Sequence, residues 1–250
     1  MERQVFEQLS FWRDEVPDYP CPSCDRGTLK LKGPLLSEFT AQTNRHKDEE
    51  WFDWEEHGEF VFSGTLICGS CTEPFFIVGD GHPEPDVYED EDGRPCQSLF
   101  SSHNVKYVQP HLRLIDYPGE LSDEFKAQIN SAFALYFSNP SACCNGIRCA
   151  VEVLLTEWGV PLKSADDRYL PLGKRLNLLP EKYAEYRELL VAVKWLGNSG
   201  SHADQSFSHK NALDGFEMLE HVLSKAYDRL GPRLSAMAEQ INAHKGPVRR

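Results

Sequence analysis

Residues 59–71 read EFVFSGTLICGSC. Residues 59–68 are a short β-type run bounded by turn residues and read as a strand. The run ends in Cys68-Gly-Ser-Cys71, a turn that brings two sulfurs to one side and leaves backbone N–H groups free to support thiolates. A second pair of the same spacing, Cys21-Pro-Ser-Cys24, lies upstream, with 43 residues between Cys24 and Cys68. Two such turns predict one tetrahedral four-sulfur site, the ligand set that suits a single structural zinc ion. The strand before Cys68 delivers the second turn as a hairpin knuckle, the zinc-ribbon pattern. The acidic, Trp-rich stretch KDEEWFDWEEHGE is the insertion between the knuckles. Four sulfurs fill the tetrahedron, so catalysis by this metal is not expected. Thiol exchange is the competing use of Cys-x-x-Cys, and it favours a lone pair at a strand–helix junction. His46 and His57 lie near the pairs, but find no vacant position there and read as surface residues. The other four cysteines (Cys96, Cys143, Cys144, Cys149) show no ligand spacing.

Further strands are expected at Leu29–Leu31, Pro74–Val78 and His103–Ile115, the last broken or edged at Pro110. Asp80–Pro95 holds seven acids, one arginine and three prolines. It has little core material and reads as an exposed, acidic loop. Residues 1–120 contain 10 Lys+Arg and 24 Asp+Glu, a net of −14; residues 121–250 contain 16 and 15, a net of +1, and the two sum to −13 for the chain. An acidic field repels phosphate backbones, so the N-terminal half points to a solvated surface or a docking face for a basic partner. No apolar run reaches the roughly 18 residues of a membrane span, and the first residues mix charges into every turn. Together these point to a cytoplasmic protein with no membrane contact.

After Pro118-Gly119 the pattern turns helical. Ser122 with Asp123 and Glu124 is an N-cap followed by first-turn acids, opening a helix to about Phe137. Asn139-Pro140 starts the next, which Gly159 stops. A short helix is expected around Tyr169–Leu179, another from Pro180 to Gly197, and a long one from Ser206 or Ser208 closed by Gly231-Pro232. Arg233–Ala243 follows as a weaker helix. Trp158, Tyr183, Tyr186 and Trp195 fall at helical spacing beside Leu and Val and read as core. The fold class is therefore α+β: residues 1–118 form a small β domain of zinc-ribbon type, and residues 119–250 form an all-α bundle.

Two constellations in the helical half carry chemistry. Arg148 and Glu152 lie four apart on one helix face. Lys194-Trp-Leu-Gly-Asn198-Ser-Gly-Ser-His202 places Asn198 and His202 four apart at a Gly- and Ser-rich helix end. Asn198 and His202 can cap helices, bind a nucleotide or RNA with Arg148, or act catalytically. The segments RxxxExLL (148–155), Trp158-Gly159-Val160, Leu172 to Leu179 and LGNxxxH (196–202) resemble, in order and spacing, a bacterial family called domain of unknown function 4145, related to the HEPN superfamily (higher eukaryotes and prokaryotes nucleotide-binding). The resemblance covers about residues 121–230, and an N-terminal pair of Cys-x-x-Cys knuckles looks like that family's common architecture.

The resemblance implies a HEPN-like helical bundle that forms a homodimer through the long helices of the helical domain. It implies a setting in antiphage defence or a toxin–antitoxin system, with a toxin, chaperone or other defence component as protein partner. HEPN ribonucleases pair a histidine with an arginine separated from it by four to six intervening residues; here those upstream positions hold Trp195, Leu196 and Gly197, and Lys194 stands one step too far. A noncatalytic, antitoxin-like or accessory binding protein is the reading that follows. The alternative is a metal-independent endoribonuclease centred on His202 and Asn198, with Arg148, Glu152 and Lys194 as ligand-binding residues.

Overall fold

The computed structural model describes residues 1–89, 93–199, 207–228 and 230–246. A single helical turn, α1 (Arg3–Phe6), leads into strands β1 (Ser10–Trp12), β2 (Leu29–Leu31) and β3 (Leu36–Phe39). Two short helices, α2 (Ala41–His46) and α3 (Trp54–His57), precede the long strands β4 (Phe60–Cys68), β5 (Pro74–Glu89) and β6 (Pro95–Gln109). All pairings are antiparallel, in the order β1-β6-β5-β4-β2, and β3 shares the β4 edge with β2.

β4 forms because its side chains alternate, with Phe60, Phe62, Leu66 and Cys68 buried and Val61 exposed. The sheet curls where β5 carries Gly79 and Gly81. In the paired register these face Phe62 and Phe60, whose rings occupy the space that a Cβ would take. A Cβ on Gly79 would stand 1.9 Å from the Asn104 carbonyl oxygen, and one on Gly81 would stand 2.3 Å from that of Ser102. Side chains are thus excluded from both positions, and β5 bends into β6. Inside the curl, His103 is buried between Phe11, Phe60 and Phe62, with ring centroids 5.0, 5.3 and 4.8 Å away. Among the described residues its Nδ1 has no hydrogen-bond partner, and burial holds its pKa below the usual imidazole value.

The acidic stretch expected as a loop is mostly sheet. β5 runs on to Glu89, and the register continues to Glu89↔Pro95. Composition suggested a loop because acids and prolines are poor strand formers, but β6 supplies the backbone partners. Pro83 and Pro85 are tolerated because β4 ends opposite Gly81, so beyond it β5 has a free edge. At its other end β6 stops at Gln109, short of the expected Ile115. Leu112, Leu114 and Ile115 leave the sheet and fill the core instead.

The helices are α4 (Asp123–Leu135), α5 (Pro140–Glu157), α6 (Leu172–Leu176), α7 (Arg187–Ser199), α8 (His209–Ala226) and α9 (Leu230–His244), with a 3₁₀ turn at Glu181–Tyr186 before α7. Ser122 caps α4 by accepting from the Phe125 N–H, and Asn139 caps α5 by accepting from the Ala142 N–H. Gly159 (φ +80°) ends α5 in the left-handed region. Gly231-Pro232 does not close α8, which stops at Ala226; the pair lies in the first turn of α9, where proline needs no hydrogen-bond partner. α5 packs against α4, α7 and α8. Trp158 stacks on Tyr183 at 3.9 Å, and Tyr186 is buried beside it. Trp195, expected in the core, is 57% exposed and carries the Lys194 ammonium 3.6 Å from its ring.

One hydrophobic cluster runs from the sheet into the helices. The Tyr136 hydroxyl donates to the Phe6 carbonyl (2.8 Å), and Arg3 pairs with Asp214 and Glu217 on α8. No described helix is long and apolar enough to cross a membrane.

Because the fold holds His103 neutral while an unfolded chain protonates it near pH 6.5, its share of stability is complete above that pH and falls as the pH drops below it. Thermal melts from pH 7.5 to 5 should show this fall, and His103→Phe should flatten the profile; an identical profile in the variant contradicts the assignment. Gly81→Val should leave no folded sheet by circular dichroism or amide exchange.

Candidate metal centre

The two Cys-x-x-Cys turns are built alike. The Asp25 N–H donates to the Cys21 carbonyl and the Thr72 N–H to the Cys68 carbonyl, each at 3.1 Å. The residue after each second cysteine has positive φ: Asp25 (54°) and Thr72 (62°). That left-handed step turns the chain back and leaves both sulfurs of each turn on one side. β2 and β4 then bring the turns together, because Leu29 pairs with Cys68 and the Gly69 N–H donates to the Thr28 carbonyl (3.1 Å). Gly27 lies where the turns meet: a Cβ there would stand 2.7 Å from the Cys68 sulfur and 2.7 Å from the Ser70 hydroxyl oxygen.

All four sulfurs lie within 4.8 Å of one another. Across the turns, Cys21 and Cys71 are 3.7 Å apart and Cys24 and Cys68 are 3.6 Å apart. A disulfide would need about 2.05 Å, and all eight cysteines are free thiols. Four thiolates around an ion at about 2.3 Å stand about 3.8 Å apart in a tetrahedron, so the spacing fits a bound metal ion. No other such ligand group occurs among the described residues. His46 and His57 instead each pack against Trp51.

The electrostatics point the same way. The Cys68 thiol is pulled down to about 6 by the Cys71 and Ser70 N–H groups, which donate to its sulfur at 3.4 and 3.3 Å. Backbone N–H groups of Arg26 and Gly27 draw the Cys24 thiol down in the same way. The Glu73 N–H lowers Cys71, but burial and the three neighbouring sulfurs outweigh it and push this thiol up to about 12. Four thiolates so close cannot all be charged without a cation among them.

In the helical half, Arg148 donates to Asn145 Oδ1 through Nε (3.1 Å) and Nη2 (3.0 Å) and forms an ion pair with Glu152. Its stem packs on the last turns of α7: a Cβ on Gly197 would stand 2.5 Å from Arg148 Cβ. Arg148 and Glu152 therefore lie against the helix end that carries half-buried Asn198. Lys194 lies one turn back and faces Gly173 of α6 as well as the Trp195 ring. His202 is outside the described residues.

Sequence patterns give no sign of Arg175, which is 1% exposed. It donates to the Glu152 carbonyl (2.9 Å), the Thr156 hydroxyl (2.8 Å) and the Val160 carbonyl (3.3 Å), and so binds α6 to the C-terminal end of α5. A cation suits that helix end. Only its place between apolar Leu172 and Leu176 could have marked it as buried.

Residues 130–244 match the family model described as domain of unknown function DUF4145, as the sequence resemblance implied. Residues 9–108 match a second model, domain of unknown function DUF8608. No curated protein and no solved structure matches the chain.

Elemental analysis of purified protein should find one metal ion per chain, and Cys68→Ser should abolish it. Chelation should expose the amides of residues 20–80 to exchange while the α5 and α8 amides stay protected. Gly27→Ala should weaken metal retention at least tenfold. Metal-free protein with unchanged exchange in the sheet would contradict the assignment.

Proposed function

We propose that this chain is a noncatalytic binding protein, an accessory or antitoxin-like component of a bacterial antiphage or toxin–antitoxin system. Its sheet is held by one structural zinc ion, and its helices form a HEPN-like bundle. The reading places it in the cytoplasm, free of membranes. Zinc is favoured because four sulfurs at tetrahedral spacing are its preferred structural set. With all four positions filled by cysteine, none is left for water or substrate.

The observation that carries the binding role is the insertion between β3 and β4. Its six acids from Asp48 to Glu56 (Asp48, Glu49, Glu50, Asp53, Glu55, Glu56) are all exposed, and among them Trp51 is 57% exposed. An exposed indole in a segment rich in exposed carboxylates fits a basic protein partner, because aromatic anchors supply binding energy and charge steers association. The same acidity disfavours nucleic acid.

A second reading, a metal-independent endoribonuclease centred on His202, is favoured by one observation: Arg148 lies against the helix turns that lead to His202. Arg148 is already engaged by Asn145 and Glu152, which supports binding over chemistry there.

Affinity capture from the native host should recover a stoichiometric basic partner, and Trp51→Ala combined with Glu49→Lys and Glu50→Lys should lower recovery at least tenfold. Purified protein should leave RNA intact in EDTA. No partner, or RNA cleavage that His202→Ala abolishes, would overturn the proposal.

A further inference from the structure

On the face of the sheet opposite His103, two aromatic rings and three carboxylates border a cavity. The register sets Trp12 opposite Ser102, Glu84 opposite Phe100 and Asp86 opposite Ser98. Ser98, Phe100 and Ser102 alternate with Leu99, Ser101 and His103, so Trp12, Phe100, Glu84 and Asp86 rise from one side of β1, β5 and β6. The cavity holds about 410 Å³, and Arg13, Glu15 and Pro85 complete its wall. That volume lies within the roughly 300–1,000 Å³ of small-ligand pockets. Trp12 packs edge-on against Phe100 at 5.7 Å and is still 57% exposed.

The chain itself shows what this surface attracts. Arg13 holds its guanidinium carbon 6.0 Å from the centre of the Phe100 ring, and its Nη2 donates to Asp86 at 3.0 Å. A guanidinium suits such a place, because it stacks on aromatic faces and forks onto carboxylates. Arg13 uses Phe100 and Asp86, and leaves Trp12, Glu15 and Glu84 on the cavity wall. Glu84 also meets His82 Nε2 at 3.2 Å. Three carboxylates against one guanidinium give Arg13, Glu15, Glu84 and Asp86 a net of −2, so the cavity favours a further cation. An indole beside carboxylates repeats the combination that already holds Arg13.

We infer that this cavity receives an arginine side chain of a basic partner, its guanidinium stacked on Trp12 and paired with Glu15 and Glu84. The inference rests on the proposed binding of a basic protein, and gives that partner a contact separate from Trp51. Arginine is preferred to lysine because a planar fork engages an indole and carboxylates at once, whereas an ammonium is a compact, strongly hydrated point charge. Arg13 competes for the same carboxylates from within the chain.

The test titrates the full chain with the peptide acetyl-Gly-Arg-Gly-amide and follows the Trp12 indole N–H in ¹⁵N-edited NMR spectra, its signal identified by its loss in Trp12→Phe. A saturable shift should appear. The same peptide with citrulline, which keeps the shape without the charge, should bind at least tenfold more weakly, and the lysine peptide at least threefold. Glu15→Gln and Glu84→Gln should each weaken binding at least threefold with unchanged circular dichroism. Arg13→Gly, which suits the left-handed backbone at that position (φ 51°), should strengthen it at least threefold. Trp51→Ala should leave the titration unchanged, so this contact and the acidic insertion fail or stand separately. No saturable shift, equal binding of the citrulline peptide, indifference to Glu84→Gln, or free L-arginine binding as tightly as the peptide would each overturn the inference.

Discussion

The pairing of Leu29 with Cys68 brings together two turns that lie far apart in the chain. From that one contact follow the meeting of the Cys-x-x-Cys turns, the clustering of their sulfurs and the anchoring of one end of β4. β4 in turn carries Phe60 and Phe62, whose rings lie over Gly79 and Gly81 and make the sheet curl. A chain with 24 acids in its first 120 residues has a repulsive field to overcome on folding, and a divalent ion held among the four sulfurs would both neutralise thiolates and cross-link the turns.

The parts of the fold with a local cause could be read from the residues. Cys-x-x-Cys turns, the turn-bounded strand run of β4, and the caps at Ser122, Asn139 and Ser208 each act within a few positions. Other features depend on partners distant in sequence. The acids and prolines of residues 80–95 look like a loop until β6 is laid beside them. His103 is buried because three phenylalanines from two strands, Phe11 on β1 and Phe60 and Phe62 on β4, converge on it, and nothing adjacent to it in sequence says so. Arg175 is buried because two carbonyls and a hydroxyl from the end of α5 receive its guanidinium. Trp195 shows the converse error: its spacing fits a core position, but that face of α7 is open.

The helical half differs in kind from the metal centre. Two of its arginines are engaged internally: Arg148 by Asn145 and Glu152, and Arg175 by the end of α5. The sheet half leaves its aromatic and acidic side chains uncovered. The chain thus combines a cluster of four cysteines spaced for a metal ion with several exposed apolar side chains.

The central claim is that Cys21, Cys24, Cys68 and Cys71 together hold one zinc ion. X-ray absorption at the zinc edge of protein purified without added metal tests it most directly. Four sulfur neighbours at about 2.3 Å, and no nitrogen or oxygen in the first shell, is the result this account predicts. A shell containing nitrogen or oxygen, or no zinc at all, would contradict it.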